Sequence, residues 1–396
     1  MSSSRKNKSI YIDAEALSTL ALIQAGMLAP VTGLMSQEEA AEVDRTRSYK
    51  GVPFPFSLLF APSGKRNAQT IASLSIGDTV DLVSQGGKVG EMVIKDVFEI
   101  DQYARLMNIY GTNDPYHPGV KNTMKRLGKM SLYGDYHVEY PLIQNTLNRI
   151  AQMVQRIGAT KISSMMMAAN PLNRAHERMI RQGASESDLL VIFLRKPFTD
   201  NGLRYDIRLK ALNIFVEGFL PRNKVLIVPF ENTYIFAGYN ELILEALLAK
   251  NSGCSELLIG KNHAGLGLYY DKNKLSTVFD TLKDLGIRIK TVDEYVYCDT
   301  CRTLVSTYTC PHGQHHHVHY HSASILTLLK SGIIPPTILV RKEISSSIIS
   351  ELFPDRFDNI QELYYSLMPS SGLLEKVDDE QFYSKLMELY QTSSLT

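Results

Sequence analysis

Few cysteines, little net charge and no long apolar run characterise this chain of 396 residues. Only four cysteines are present, three of them within residues 298–310, which argues against the disulfide scaffold of a secreted protein. A net charge of +1 gives no basic footprint for nucleic acid or an anionic membrane. No apolar run approaches the ~20 residues of a membrane span, and the polar N-terminus lacks the hydrophobic segment of a signal peptide. We therefore expect a cytoplasmic protein with no nucleic-acid or membrane partner.

Length and element pattern predict two or three domains of an α/β protein. Short strands separated by glycine turns up to about residue 155 predict a β-rich N-terminal domain. Apolar strands that alternate with helices from about 160 to 325 predict a parallel sheet with helical crossovers. The remainder is predicted to be helical, at 323–330, 345–352 and 379–390. We place the boundaries at 1–158, 159–325 and 326–396.

A first candidate anion-binding loop spans residues 170–177. It follows the apolar run 162–169, contains Pro171 and precedes an amphipathic stretch from Ala175, which predicts a strand, a turn and a helix. The N-terminus of that helix would offer backbone N–H groups to a phosphate. His176 in its first turn could donate a hydrogen bond to α-phosphoryl oxygens as charge builds on them.

A second loop repeats this arrangement. Apolar segments at 225–230 and 256–259 read as buried strands that flank a helix at about 240–250. The glycine-rich turn 260–267 follows the second strand, and its glycines would let the backbone approach a nucleotide closely.

A third constellation predicts a zinc site. Cys298 and Cys301 form a C-x-x-C pair, and Cys310 begins a Cys-Pro-His sequence followed by more histidines. Three thiolates and one imidazole are a ligand set for tetrahedral zinc. The spacing leaves the fourth ligand open among His312, His315, His316 and His317.

Several motifs together resemble the ATP sulfurylase family along the whole chain. The family sequence Y-G-T-x-D-x-x-H-P-G-V is nearly intact at 110–120. Further matches are found at 26–35, at the proline-flanked strand 53–58, at the glycine turn 76–80 and in both candidate loops. No G-x-x-x-x-G-K-[ST] loop is present, so the kinase fused to some family members is absent.

The resemblance implies a PUA-like N-terminal domain, a Rossmann-like nucleotidyltransferase domain with the zinc knuckle 298–316, and a small, mostly helical C-terminal domain. It implies adenine nucleotide and sulfate as ligands, Mg with ATP in an active enzyme, and structural zinc with His316 as the ligand whose offset best fits the family. A homo-oligomer is left open. The implied catalytic residues are Asn170, Asn173 and His176, and the implied nucleotide-binding residues are Met167, Ala168, Ala169, Asn170, Gly260, Lys261, Asn262, His263, Ala264 and Ile325.

The departures from the family are systematic. The Gln and Arg that hold sulfate in the family are Met167 and Ala169 here, and the first histidine of the family's H-x-x-H pair is Asn173. The second loop has Lys261 and Asn262 in place of Arg and Asp, which keeps a charge but loses the guanidinium fork. Four further positions that are cationic in the family are uncharged here: Ile235, Asn240, Ser324 and Leu326.

Three interpretations follow. The chain could be a working sulfate adenylyltransferase, which makes adenylyl sulfate and pyrophosphate from ATP and sulfate. It could be a divergent nucleotidyltransferase or hydrolase with a less charged acceptor, for which Met167 and Ala169 would suit an apolar group. It could also be a noncatalytic relative that binds a nucleotide or acts as a scaffold, because fold does not determine function.

Overall fold

The computed structural model describes residues 8–198, 202–238, 240–260, 282–368 and 376–392. Its helices are α1 (Ala14–Gln24), α2 (Gln37–Thr46), α3 (Lys65–Ala72), α4 (Gln102–Tyr110), α5 (Pro118–Arg126), α6 (Pro141–Ile157), α7 (Arg174–Ser185), α8 (Tyr205–Phe219), α9 (Glu241–Asn251), α10 (Ser322–Lys330), α11 (Lys342–Leu352), α12 (Ile360–Leu367) and α13 (Asp379–Thr392). The strands of the N-terminal part are β1 (Lys8–Tyr11), β2 (Ser48–Tyr49), β3 (Val52–Pro53), β4 (Phe60–Pro62), β5 (Thr79–Ser84), β6 (Gly87–Glu99) and β7 (Leu127–Val138). Those that follow are β8 (Ile162–Met167), β9 (Leu189–Pro197), β10 (Val225–Asn232), β11 (Glu256–Gly260), β12 (Arg288–Val292), β13 (Tyr295–Cys298), β14 (Thr303–Ser306) and β15 (His317–Val318).

The N-terminal part is built on a five-stranded sheet of order β1-β5-β6-β7-β4. The β5–β6 and β6–β7 pairs are antiparallel, whereas β1 runs parallel to β5. Within β6, Met92 and Ile94 are buried while Val93 between them is exposed, so this strand covers the core with one face. The predicted β-rich N-terminal domain is confirmed.

The motif at 110–120 has a packing role. The hydroxyl groups of the buried Tyr110 and Thr123 lie 2.5 Å apart. His117 caps α5, with its Nδ1 accepting a hydrogen bond from Val120 N–H. A Cβ at Gly119 would lie 2.5 Å from the Tyr110 ring, so glycine is needed for this close approach. The residues of this motif therefore determine how α4 and α5 are joined.

The central part contains a second five-stranded sheet, of order β10-β9-β8-β11-β12. Strands β8 and β11 pair in parallel, with Glu256 opposite Ser163 and Leu258 opposite Met165. The helices α7, α8 and α9 lie between these strands along the chain, which is the predicted alternation. The α/β class with a parallel sheet is thus confirmed.

The C-terminal part is mostly helical, as predicted. The helices expected at 323–330, 345–352 and 379–390 are present as α10, α11 and α13, with ends that differ by one to three residues. A small cluster formed by Met368, Val377 and Phe382 packs with partly buried aliphatic and aromatic side chains around it. A three-stranded sheet of order β14-β13-β15 precedes these helices.

The chain divides into two compact units. The first unit comprises Met1–Met166, Arg195–Phe198 and Val228–Lys290, and the second comprises Met167–Leu194, Thr199–Ile227 and Thr291–Thr396. The boundaries expected at residues 158 and 325 stay a prediction.

A buried carboxylate ties the second unit together. Glu177 on α7 is 3% exposed and accepts hydrogen bonds from Nε and Nη2 of Arg341, at 3.1 and 2.7 Å. Arg174 donates to the same carboxylate at 3.2 Å. The Arg341 guanidinium also lies over the Phe219 ring at 3.7 Å. This network holds α7, α8 and the start of α11 together, and it positions the loop that precedes α7.

Candidate functional site

A buried arginine anchors the loop between β8 and α7. Arg208 on α8 is 4% exposed and donates from Nη1 to the Ala168 carbonyl at 2.8 Å and from Nε to the Leu203 carbonyl at 2.9 Å. Sequence reasoning missed Arg208. The available signal was its position among the apolar residues of α8, since a charged side chain there needs buried partners.

Asn170 locks the same loop. Its Oδ1 accepts a hydrogen bond from Leu203 N–H at 2.9 Å. A Cβ at Gly202 would lie 2.0 Å from Asn170 Nδ2, so only glycine leaves room for this side chain. Before it, Ala169 adopts φ = 48°, in the left-handed region. The catalytic role expected of Asn170 stays a prediction, and its contacts are those of a residue that positions the loop.

Asn173 and His176 cap α7 reciprocally. The Asn173 side chain accepts from His176 N–H at 3.1 Å, and His176 Nδ1 accepts from Asn173 N–H at 3.3 Å. Because Nδ1 is an acceptor, the proton of the neutral ring lies on Nε2. Desolvation lowers the pKa of His176 to about 4. At neutral pH the ring is therefore an uncharged Nε2–H donor of fixed orientation.

A second helix begins beside this cap. Asn173 Nδ2 donates to the hydroxyl oxygen of Ser322 at 3.5 Å, and Ser322 is the first residue of α10. Two helix N-termini thus meet within the second unit, and each carries a partial positive charge. At α7 the N–H groups of Asn173, Arg174 and His176 are already donated, that of Arg174 to the Leu339 carbonyl, whereas α10 has no side-chain cap. The one acidic residue in the first turn of α7, Glu177, is engaged by Arg341 and Arg174. The arrangement is suited to a phosphate-sized anion.

Other predicted site residues offer little accessible surface. The exposed fractions of Met167, Ala169 and Ile325 are 5%, 1% and 2%, so their side chains pack in the core. Ala168 is exposed. Gly260 closes β11 in the first unit, and the expected nucleotide-binding residues after it, Lys261, Asn262, His263 and Ala264, lie outside the described residues.

Two of the four positions that are cationic in the resembled family, Ile235 and Asn240, are buried by packing in the first unit, whereas Ser324 is exposed and Leu326 half-buried on α10. Ile235 is fully buried, with 0% exposure. Asn240 is 5% exposed, and its Nδ2 donates to the Asn108 carbonyl at 3.1 Å. The Arg195 side chain, which is 14% exposed, is held by Glu241 and Glu245 at 2.5 Å each. None of these three side chains is placed to receive a phosphate.

A group of thiols and one imidazole in the second unit could hold a metal ion. The ligand atoms of Cys298, Cys301, Cys310 and His312 all lie within 4.8 Å of one another. The His312 Nδ1 atom is 3.5, 3.2 and 3.7 Å from the three sulfurs, and two of the sulfurs are 4.0 Å apart. A tetrahedron with metal–sulfur bonds of ~2.3 Å and metal–nitrogen bonds of ~2.0 Å has edges of roughly 3.5–3.8 Å. The four ligands therefore fit such an ion.

The histidine in this group differs from the one that the resemblance favoured. His316 Nδ1 lies 2.7 Å from Asp299 Oδ1 and 3.0 Å from Thr300 Oγ1, outside the cluster. His312 is only two residues from Cys310, and the tight turn there carries its ring to the sulfurs. The ligand set in the structure is thus three cysteines and His312, and the preference for His316 is corrected.

The fold is that of an α/β protein with a parallel sheet and an additional β-rich N-terminal domain. The family model ATP-sulfurylase matches residues 142–351, and that of the PUA-like domain matches residues 1–139. The chain belongs to the ATP sulfurylase family.

Curated relatives cover nearly the whole chain. The sulfate adenylyltransferase of Chloroflexus aurantiacus is 29% identical over 85% of this chain and 89% of its own length. That of Symbiobacterium thermophilum is 28% identical over 88% and 90%. The hexameric APS kinase from Thiobacillus denitrificans superposes with a TM-score of 0.66 over 89% of this chain, at 15% identity, which is a likeness of fold. The chain spans 64% of that protein's length.

No helix among the residues that the structure describes is long and apolar enough to cross a membrane.

We predict that His176 stays neutral, as the Nε2–H tautomer, from pH 8 down to pH 5. Its lowered pKa means that the unfolded chain takes up this proton near pH 6.5 while the folded protein does so only near pH 4. The contribution to stability is therefore complete above pH 6.5 and is lost as the pH falls toward 4. Nitrogen-15 spectra of labelled histidine side chains, recorded across this range, measure both tautomer and titration.

The His176→Gln variant assigns the signal, since glutamine at this position can also accept from the capping N–H group. A midpoint near pH 6.5 for the assigned ring would contradict the prediction.

Proposed function

We propose that this protein is an adenylate-binding member of the ATP sulfurylase family whose nucleotide site has lost recognition of sulfate and pyrophosphate. The family reaction transfers the adenylyl group of ATP to sulfate and releases pyrophosphate. The observation that carries the proposal is the burial of Met167, Ala169 and Ile235, which occupy family positions for anion-binding side chains. The α-phosphate side of the site, by contrast, keeps its donors.

The donors that we propose for the α-phosphate lie in the second unit. His176 Nε2–H and the N-termini of α7 and α10 would receive the α-phosphate, while Asn170 and Arg208 keep the loop in place. Asn173 contributes its Nδ2 amide, since its oxygen is used by the helix cap. We assign Gly260, Lys261, Asn262, His263 and Ala264 to the adenosine side, by their match to the family motif. When the nucleotide is ATP, Mg would accompany it.

Sulfate has no comparable set of donors. In the family a glutamine amide and a guanidinium hold this dianion, and each charge-assisted hydrogen bond is worth about 1.5–3 kcal/mol. Met167 offers only a thioether, and Ala169 offers no side-chain polar group. Both are also buried, so an apolar acceptor would find little surface on them. This favours nucleotide binding without transfer over transfer to a different acceptor.

The positions that would bind pyrophosphate also lack cationic side chains. A triphosphate that is cleaved between its α and β phosphates needs cations on the leaving group. Ile235 lies in the core and the Asn240 amide is committed to Asn108. Arg195 does not replace the missing charges, because Glu241 and Glu245 neutralise it.

We assign zinc to the cluster of three cysteines and His312, in a structural role. All four ligands come from the protein, which leaves no open coordination position for catalysis. The cluster joins the turn after β13 to the loop after β14.

The zinc assignment predicts about one zinc per chain in untagged protein, because a Cys₃His set of this geometry binds zinc tightly. His312→Ala should lower both the metal content and the melting temperature, and so should Cys298→Ser. The matched control is His316→Ala, which should leave the metal content unchanged. Elemental analysis and thermal melts measure these quantities. Metal loss in the His316 variant alone would reverse the ligand assignment.

The nucleotide assignment predicts that AMP binds at least as tightly as MgATP. Each absent phosphate contact costs on the order of 1–3 kcal/mol, which shifts relative affinity roughly tenfold or more. Calorimetry with AMP and MgATP on the wild type and on His176→Ala makes the comparison, and the variant should weaken AMP binding. Tight MgATP binding with pyrophosphate release in the presence of sulfate would restore the ordinary sulfurylase function.

The sulfate assignment predicts no measurable heat when millimolar sulfate is titrated into the protein, with or without a nonhydrolysable ATP analogue. Met167 and Ala169 provide neither charge nor hydrogen bonds for the dianion. Titration of AMP into the same preparation is the control for a competent protein. Micromolar sulfate affinity would mean that the anion site lies elsewhere in the chain.

A further inference from the structure

Five arginines line a cavity of about 480 Å³ within the second unit. We call it the arginine pocket. One carboxylate, that of Glu177, lies among its lining residues. The arginines are Arg174, Arg178, Arg181, Arg302 and Arg341.

The pocket combines one face of α7 with two other segments. Arg174, Arg178 and Arg181 are spaced by four and three residues, so they lie along one side of the helix. Arg302 comes from the turn between β13 and β14, directly after the metal-cluster residue Cys301. Arg341 immediately precedes α11. Three separate segments thus bring positive charge to one cavity.

The positive charge is only partly neutralised. Glu177 is shared between Arg174 and Arg341. Arg181 lies over the Phe215 ring at 5.4 Å, which gives its cation an aromatic face but no counterion. Arg178 and Arg302 are exposed, and neither has an ion-pair partner among the residues that the structure describes. Like charges four residues apart on a helix repel each other, so an anion in this cavity would reduce the repulsion between Arg174 and Arg178.

The lining chemistry matches phosphate groups. Guanidinium forks bind phosphate oxygens in pairs, and several of them together can hold more than one phosphate. Tyr297 and Tyr320 also line the cavity, and the Tyr320 hydroxyl donates to the Ile338 carbonyl at 2.6 Å. The volume falls within the range of about 300–1,000 Å³ that is usual for small-molecule pockets. A concave site of this size favours a small ligand over an acidic protein segment.

We propose that the arginine pocket binds a small anion with two or more linked phosphate groups, at a site separate from the nucleotide site. At ~100° per residue, His176 lies roughly 160° around α7 from Arg174. The two sites therefore use opposite faces of the same helix. The nucleotide site uses uncharged donors at the helix end, while the arginine pocket uses fixed positive charge along the helix side.

Inorganic pyrophosphate without Mg is the probe, with calorimetry on the full chain as the measurement. The double variant Arg178→Gln/Arg302→Gln removes the two unpartnered charges and should weaken pyrophosphate binding roughly tenfold or more. Arg178→Lys keeps the charge but loses the guanidinium fork, so its pyrophosphate affinity should lie between those of the wild type and the double variant. Arg222→Gln, an exposed arginine of the same unit outside the cavity, is the matched control and should change affinity less than about twofold.

His176→Gln separates this site from the nucleotide site. Pyrophosphate binding should survive in this variant while AMP binding weakens, so either proposal can fail without the other. A second arm compares tripolyphosphate with ATP in the His176→Gln variant, where the nucleotide site is weakened. Equal affinities are the expected result and mean that the arginine pocket recognises the phosphate chain alone.

Three results would overturn the proposal: no pyrophosphate binding to the wild type, unchanged binding in the double variant, or loss of binding in His176→Gln alone. Thermal melts check the variants for folding. Both substituted side chains are exposed, so we expect unchanged melting temperatures in the absence of anion.

Discussion

The buried carboxylate of Glu177 is the interaction on which the second unit depends. It joins Arg174 and Arg341, and through Arg341 it fixes the packing against Phe219. A buried charge of this kind is stable only while its partners remain, and breaking such a pair costs about 3–5 kcal/mol. The carboxylate therefore holds α7 in a fixed orientation within the second unit. One face presents the capped end to an adenylate, and another presents arginines to the cavity.

The elements that form this frame could be predicted from the sequence. Apolar runs identified β8, β9, β10 and β11, and the helical segments after residue 320 lie within three residues of their predicted ends. Strands and helices of this kind can be predicted because burial of the element produces an apolar pattern in the sequence. The reciprocal cap of Asn173 and His176 was harder, although asparagine is a favoured capping residue. The interpretation of Asn173 as a replacement for a catalytic histidine did not include the use of its side-chain oxygen as the helix cap.

Features that depend on tertiary geometry could not be predicted in the same way. Four histidines lie close to Cys310 along the chain, and only the course of the turn determines that His312 reaches the sulfurs while His316 turns to Asp299. Arg208 carries no motif, and its role follows from two carbonyl groups that the fold brings to it. The arginine pocket is assembled from segments more than a hundred residues apart, so no local window of sequence contains it.

The left-handed backbone at Ala169 has a consequence for how this protein could change over evolutionary time. Alanine fits there because its small side chain is enclosed, with 1% exposure. An arginine at that position would have to keep the same backbone conformation and place a guanidinium where the core is already filled, beside a loop held by Arg208. Introducing an anion-binding arginine at this position thus requires coordinated changes in the loop and in α8. No single substitution at Ala169 would supply the guanidinium group that the proposed function lacks.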